Sequence, residues 1–228
     1  MKILLFMSDN RKLEKNYADA GYYSVTAAIN YEYCKKHGYD FVYYRPYLDD
    51  PDTISLYNCV DTNNYELRHA SWSKILCTLD VFQRGHDYVM FIDSDCIVKD
   101  FEKRLEDYIT PYDGKDLIFS NNAPWCPEKP CCGLYICKNT AYAKDFLKAL
   151  YNVNIPEFNR NHAWEQEAIY TIYKKYDMVL FDNELMFQER EKQMFRHICS
   201  HEGDQRLLYF KRFLTKIIRY KLQTLYLI

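Results

Sequence analysis

The segment Tyr88-Val-Met-Phe-Ile-Asp93-Ser-Asp95-Cys96 constrains this chain more than any other. Its apolar run is short, rich in strand-forming residues and shows no alternation. Such a run reads as a strand buried on both faces. Two aspartates separated by one residue stand at its carboxyl end. In open α/β sheets that end faces the crevice where ligands bind. Two carboxylates aimed into one crevice repel each other unless a cation lies between them. A hard divalent ion that also meets phosphate oxygens suits the place.

Periodicity and punctuation set the surroundings of that strand. Lys2 to Met7 reads as a first strand. Gly21 to Lys36 has helical spacing and stops at His37-Gly38, a helix C-terminal signal. Asp40 to Tyr44 is a second strand, and residues 46 to 66, with prolines, aspartates and asparagines, read as a long surface loop. Ser71 to Arg84 is a helix closed by Gly85. Phe101 to Tyr108 is a short helix, and Leu117 to Ser120 and Gly133 to Cys137 are strands. Ala141 to Tyr151 and Trp164 to Tyr176 are helices, the first followed by a polar loop over Asn152 to Ala163 and the second by a strand over Met178 to Phe181. Strand and helix alternate through the first half, which predicts an α/β domain with a mostly parallel sheet.

The 228 residues suffice for one domain with a full core over residues 1–204, followed by a basic segment over 205–228. A net charge of −2 argues against a nucleic-acid binder. No apolar run approaches a membrane span. The first apolar stretch is too short for a signal peptide. The nine cysteines follow no framework spacing, so they read as reduced thiols in a cytoplasmic setting. Cys126, Cys131, Cys132 and Cys137 raise the question of zinc, but their spacing is not that of a knuckle. They read instead as small buried apolar side chains. The 23 tyrosines are read mainly as core filling.

Three further clusters carry polar chemistry. Ser8-Asp9-Asn10 follows the first strand, where a nucleotide base or ribose would be read; equally, all three residue types cap helices. Trp164-Glu165-Gln166-Glu167 opens a helix, where Glu165 and Gln166 are placed to face a sugar, or else the acids simply match the helix dipole. His201, in Cys199-Ser-His201-Glu202-Gly203, is either the imidazole that completes a metal site or a surface turn residue.

Taken in order, these features resemble GT-A-fold glycosyltransferases, specifically the retaining galactosyl-, xylosyl- and mannosyltransferases that use nucleotide sugars. Phe6-Met-Ser8-Asp9-Asn10 is similar to their nucleotide loop, and Arg68-His-Ala-Ser-Trp72-Ser-Lys74 to an R-x-x-x-W-x-K helix. Phe91-Ile-Asp93-Ser94-Asp95 resembles their D-x-D, and Cys132-Gly133-Leu-Tyr-Ile-Cys-Lys-Asn139 a glycine strand. Trp164-Glu165-Gln166-Glu167-Ala168 resembles an acceptor-side helix, and Ile198-Cys-Ser-His201-Glu-Gly203 the late metal histidine. The pattern departs before Gly133, where Cys131 and Cys132 replace the family's Asn-Ala. Asn121 or Asn122 is then left to offer the sugar a polar contact.

The resemblance implies a single Rossmann-like domain and a metal-dependent transfer, with retention, of a hexose or pentose. The donor is a nucleoside-diphosphate sugar, UDP-linked favoured, and the acceptor a glycan or glycoconjugate. Manganese or magnesium is expected on Asp93, Asp95 and His201. Ser8, Asp9, Asn10, Lys74, Asp93, Ser94 and Gly133 are expected at the donor, with Lys74 at the diphosphate, and Glu165 and Gln166 at the reacting centre. Trp72 reads as helix core. A D-x-D phosphohydrolase is the competing enzyme, although its motif puts Thr or Val where Ile97 stands. A sugar-binding module without turnover is the non-enzymatic alternative. An EF-hand loop fails for lack of its glycine. From 206 to 228 there are six basic residues and no acidic one, with Phe210, Phe213, Leu214, Ile217 and Ile218 at helical spacing. This tail reads as a helix packed on the domain, or as a peripheral helix resting on an anionic membrane.

Overall fold

The computed structural model describes residues 1–45, 69–123, 125–160, 163–181, 194–198 and 203–225. The expected loop over 46–66, Arg68 and His201 lie outside these residues. Strand β1 is Ile3–Ser8, β2 Asp40–Tyr44, β3 Tyr88–Ile92, β4 Cys96–Val98, β5 Leu117–Asn122, β6 Cys126–Lys138, β7 Met178–Phe181 and β8 Phe195–His197. Helix α1 is Tyr22–His37, α2 Ser73–Val81, α3 Glu106–Ile109, α4 Ala141–Tyr151, α5 Pro156–Arg160, α6 Trp164–Ile172 and α7 Gly203–Leu225.

All five side chains of β3 are buried, as the unbroken apolar run requires. Val89 and Phe91 enter a core layer shared with Ile75 and Leu76 of α2 and Phe146 and Leu147 of α4. Tyr88, Met90 and Ile92 enter the opposite layer with Ala27, Tyr33 and Cys34 of α1. β1 divides in the same way, with Leu4 and Phe6 on one side and Ile3, Leu5 and Met7 on the other. The strands thus form the middle layer of a three-layer α/β unit.

The central sheet has six strands in the order β2-β1-β3-β6-β5-β7. Pairings β1–β2, β1–β3 and β5–β7 are parallel, which makes the sheet mostly parallel as expected. Both pairings of β6 are antiparallel. The cause is local: β5 joins β6 without a crossover helix, and a short connection returns the chain beside the strand it has just left. α1 ends at Gly38, left-handed at φ 73°, and the turn after α2 ends at Gly85, φ 76°. Both match the glycine stop signals.

Several expected boundaries move. The helix expected over Ser71 to Arg84 is α2 flanked by 3-10 turns at Ala70–Trp72 and Phe82–Arg84. The helix expected over Phe101 to Tyr108 is only the four residues of α3. α6 gives way at Tyr173–Lys175 to a 3-10 turn, and the polar loop before it contains α5. The two-stranded β4–β8 ribbon was not legible, because three-residue strands are stabilised mainly by tertiary pairing. The seven described cysteines are free. Cys131, Cys132 and Cys137 are buried, as a reading of small apolar side chains requires, whereas Cys126 is only half-buried at the start of β6. Trp72 is core, its Nε1 donating to the Phe158 carbonyl at 3.1 Å.

α7 packs on α1: Phe210 and Leu214 are buried with Val25 and Ile29, alongside Ile97 and Ile198. Lys211 Nζ donates to the Ala18 carbonyl at 3.1 Å, and Tyr17 Oη donates to the Lys211 carbonyl at 3.0 Å. Of the two readings of the tail, this part of the helix follows the packed one. Among the described residues no helix is long and apolar enough to cross a membrane.

Candidate metal and donor site

The site forms where β3 stops. The Asp93 N–H donates to the Gly133 carbonyl at 2.9 Å and the Cys96 N–H to the Asp93 carbonyl at 3.0 Å, closing a turn over Asp93-Ser94-Asp95. α1 holds that turn from behind. Thr26 Oγ1 donates to the Ser94 carbonyl at 2.7 Å, and Asn30 Nδ2 to the Cys96 carbonyl at 3.0 Å. Asn30 Oδ1 accepts from the Val98 N–H at 2.9 Å, so this buried amide fixes β4 with both its atoms.

The two aspartates have different partners. Asp93 Oδ1 accepts from Lys74 Nζ at 2.9 Å. Asp95 Oδ1 lies 2.9 Å from His197 Nε2, and Asp95 Oδ2 lies 3.1 Å from Arg206 Nη1. His197 arrives through β8, whose antiparallel register sets it opposite Cys96. Gly133 completes the enclosure. A Cβ added there would sit 2.6 Å from His197 Cε1 and 3.0 Å from Asp93 Oδ2. Only a bare backbone lets β6 pass that close to both side chains.

Electrostatics separate the pair. Burial, the largest influence, pushes the Asp93 carboxyl up to about 6; the Asp95 charge adds to this while Lys74 and His197 oppose it. Burial also works against Asp95, but His197 and Arg206 outweigh it and hold the carboxyl below its usual value. His197 is buried, which disfavours its charge, yet Asp95 holds it well above the ordinary imidazole range. The same contest favours charge in Lys74, held well above the ordinary ammonium range by Asp93 and Glu165.

One ligand atom from each of Asp93, Asp95 and His197 lies within 4.8 Å of the others. Two carboxylates and one imidazole are a donor set that suits manganese and tolerates magnesium. The residues therefore fit the ion.

The remaining expected residues divide into those near the crevice and those committed elsewhere. Lys74 was expected at a diphosphate. It is instead 5% exposed, with its ammonium 2.9 Å from Glu165 Oε1 as well as from Asp93, and 3.4 Å from the Cys132 carbonyl. A buried ammonium bracketed in this way positions Asp93. Glu165 is buried as its partner, and its Oε2 has no hydrogen-bond partner among the described residues. Gln166 was expected to project into the crevice. Its Oε1 accepts from the Cys132 N–H at 2.8 Å and its Nε2 donates to the Pro130 carbonyl at 2.7 Å. The amide extends the hydrogen bonding of β6, whose backbone Gly133 needs held close. Trp164, with φ 48°, is the non-glycine residue with positive φ among those described, and it stacks on His69 at 3.9 Å. This left-handed residue turns the chain into α6 just before Glu165.

In the loop after β1, Ser8 Oγ lies 2.9 Å from Ser73 Oγ, and Asn10 is exposed. Asp9 gives its carboxylate to Arg11. Ser94 Oγ accepts from Arg11 Nη2 at 3.4 Å. His197, Arg206 and Arg11 were not singled out from the sequence. The alternation Phe195-Arg196-His197-Ile198 is a weak strand signal, and Arg206 was counted only as tail charge. Nothing local marks Arg11.

The family model described as "Protein of unknown function, DUF273" matches residues 31–209. A comparison with curated protein sequences finds no match. Among solved structures, a glycosyltransferase involved in the glycosylation of the major capsid of PBCV-1 is similar with a TM-score of 0.68 at 16% identity, over 93% of this chain and 100% of that one. The glycosyltransferase GlyE of Streptococcus pneumoniae TIGR4 gives 0.54 at 11% identity, over 96% of this chain and 64% of its own. The bifunctional WbbM gives 0.52 at 13% identity, over 92% of this chain and 49% of its own. At these identities the likeness establishes a shared fold.

Proposed function

The chain belongs to the DUF273 family, and we propose that it is a metal-assisted glycosyltransferase of the GT-A type. It moves a hexose or pentose from a nucleoside-diphosphate sugar, UDP-linked ahead of GDP-linked, to a glycan or glycoconjugate, with retention. One observation carries the reading: Asp93, Asp95 and His197 converge within 4.8 Å at the carboxyl edge of the sheet, where α/β folds bind ligands.

Asp93, Asp95 and His197 would hold the divalent ion. Bound there, the ion supplies Lewis-acid neutralisation of the charge that develops on the departing nucleoside diphosphate. Lys74 keeps Asp93 oriented and ionised. Arg206 braces Asp95 from the other side. Glu165 shares the Lys74 ammonium with Asp93, so it supports the metal carboxylate from behind. Gln166 holds β6 in register so that Gly133 stays against His197. The loop from Ser8 to Arg11 flanks the site on the side of β1.

The test is turnover of a panel of nucleotide sugars with manganese, run beside simple phosphate esters. Manganese-stimulated release of a nucleoside diphosphate from one donor is the expected result. Phosphate release from esters without sugar turnover would make the protein a phosphohydrolase, and donor binding without turnover a sugar-binding module.

A further inference from the structure

Arg11 stands at the junction of the two loops that frame the crevice, one after β1 and one after β3. Its carbonyl accepts from Tyr43 Oη at 3.0 Å. Its backbone N–H and Nε donate to Asp9 Oδ1 at 2.9 and 2.8 Å, and its Nη2 pairs with Asp9 Oδ2. Nη2 also donates to Tyr22 Oη at 3.0 Å and to Ser94 Oγ at 3.4 Å. The guanidinium lies 4.8 and 4.2 Å from the ring centroids of Tyr22 and Tyr23. Both ends of the residue are therefore fixed before any ligand arrives.

The ion pair is lopsided. The Arg11 side chain is 40% exposed and that of Asp9 only 7%. What the loop offers to a ligand is the guanidinium, not the carboxylate. Nη1 has no partner among the described residues. Tyr22 also carries a second guanidinium, that of Arg206, at 4.6 Å. Arg206 is the residue on Asp95 and Arg11 the residue on Ser94. One tyrosine thus joins two guanidiniums to neighbouring residues of the D-x-D turn.

We propose that Arg11 is a donor-binding residue that contacts the phosphates of a nucleoside diphosphate through its outward guanidinium edge. The proposal rests on the transferase reading. A guanidinium only donates hydrogen bonds and phosphate oxygens only accept them, and the planar geometry of the two matches. Ser94, the residue of the D-x-D turn that Arg11 reaches, stands between Asp93 and Asp95 in the chain, so the guanidinium is held beside the two carboxylates that would take the cation. Because Asp9 offsets the charge of Arg11, the contact is one of directed hydrogen bonds rather than long-range attraction. Asp9 then serves to aim Arg11, in place of reading the base itself.

Calorimetry with manganese on the full chain tests this, using UDP and inorganic pyrophosphate as probes. Arg11→Ala should weaken both by roughly tenfold or more, the scale of a lost hydrogen bond to a charged group, and Arg11→Lys should restore part of the loss for both. If Arg11→Ala weakens UDP but leaves pyrophosphate unchanged, Arg11 reads the nucleoside and the proposal fails. It fails equally if neither probe is weakened. A parent protein that binds neither probe would overturn the transferase reading itself, a result distinct from a parent that binds both and an Arg11→Ala variant that binds them as well.

Discussion

His197 Nε2 lies 2.9 Å from Asp95 Oδ1, although the two residues are more than a hundred positions apart in the chain. The contact is made by two three-residue strands, β4 and β8, whose pairing sets His197 opposite Cys96 and so beside the second aspartate. The ribbon is secured at its end by the Ile198 N–H, which donates to the Asp95 carbonyl at 3.0 Å. The imidazole of the candidate cation site is thereby delivered by backbone pairing.

Removing that imidazole should weaken manganese binding. His197→Ala should lower manganese affinity by more than the roughly 10- to 100-fold that follows loss of a supporting partner. The same titration on His201→Ala separates the two histidines, since the geometry expects His197 to carry the effect. Loss of manganese binding in His201→Ala alone would reverse the assignment.

Gly133→Ala should damage the site while leaving the fold in place. The new methyl would press on the His197 ring at 2.6 Å and on Asp93 Oδ2 at 3.0 Å. Overpacking of this kind costs about 1–3 kcal/mol, and relief requires His197 to move. Denaturant unfolding should register the loss, and manganese titration a larger one. Full manganese affinity in a folded Gly133→Ala would refute the close packing of β6 on the histidine.

Lys74→Met should be strongly destabilising. It strands Asp93 and Glu165 without their shared cation, and leaving a buried charge uncompensated costs about 3–5 kcal/mol. Glu165→Gln added to Lys74→Met should recover part of that loss, because one of the two stranded charges is gone. Equilibrium unfolding of the single and double variants decides it; a double variant less stable than the single would show that the ammonium is not what balances the two acids.

Phe210→Ala tests whether α7 belongs to the domain. Phe210 is wholly buried between α1 and Ile97, so truncation should cost about 3–5 kcal/mol. Thermal or denaturant unfolding would show it as a lower midpoint. A midpoint within experimental error of the parent would detach the helix from the core and return the tail to the membrane-surface reading.

The D-x-D site was legible in part. Asp93, Asp95, Gly133, Lys74 and Glu165 were all singled out, and they do converge. Asp93, Asp95 and Glu165 could be found because each sits beside a local signal, the end of an apolar strand or the start of a helix, whereas Lys74 and Gly133 were singled out only through the resemblance to glycosyltransferase motifs. Their roles were less legible. Lys74 and Gln166 were expected to face a ligand, but the first lies between two buried acids and the second binds the backbone of β6. A sequence states that a side chain has hydrogen-bonding capacity but not which partner takes it.

The sequence by itself determined the layered α/β architecture, because an unbroken apolar strand can only be buried on both faces and the helical stretches with their glycine stops must cover it. It also determined that two carboxylates stand at one strand end. Tertiary structure alone decided that α1 braces the D-x-D turn through Thr26 and Asn30, and that His197 and Arg206 meet Asp95. Those contacts join residues far apart in the chain. Their free energy comes from pairing and desolvation in the folded state, and no local periodicity encodes that.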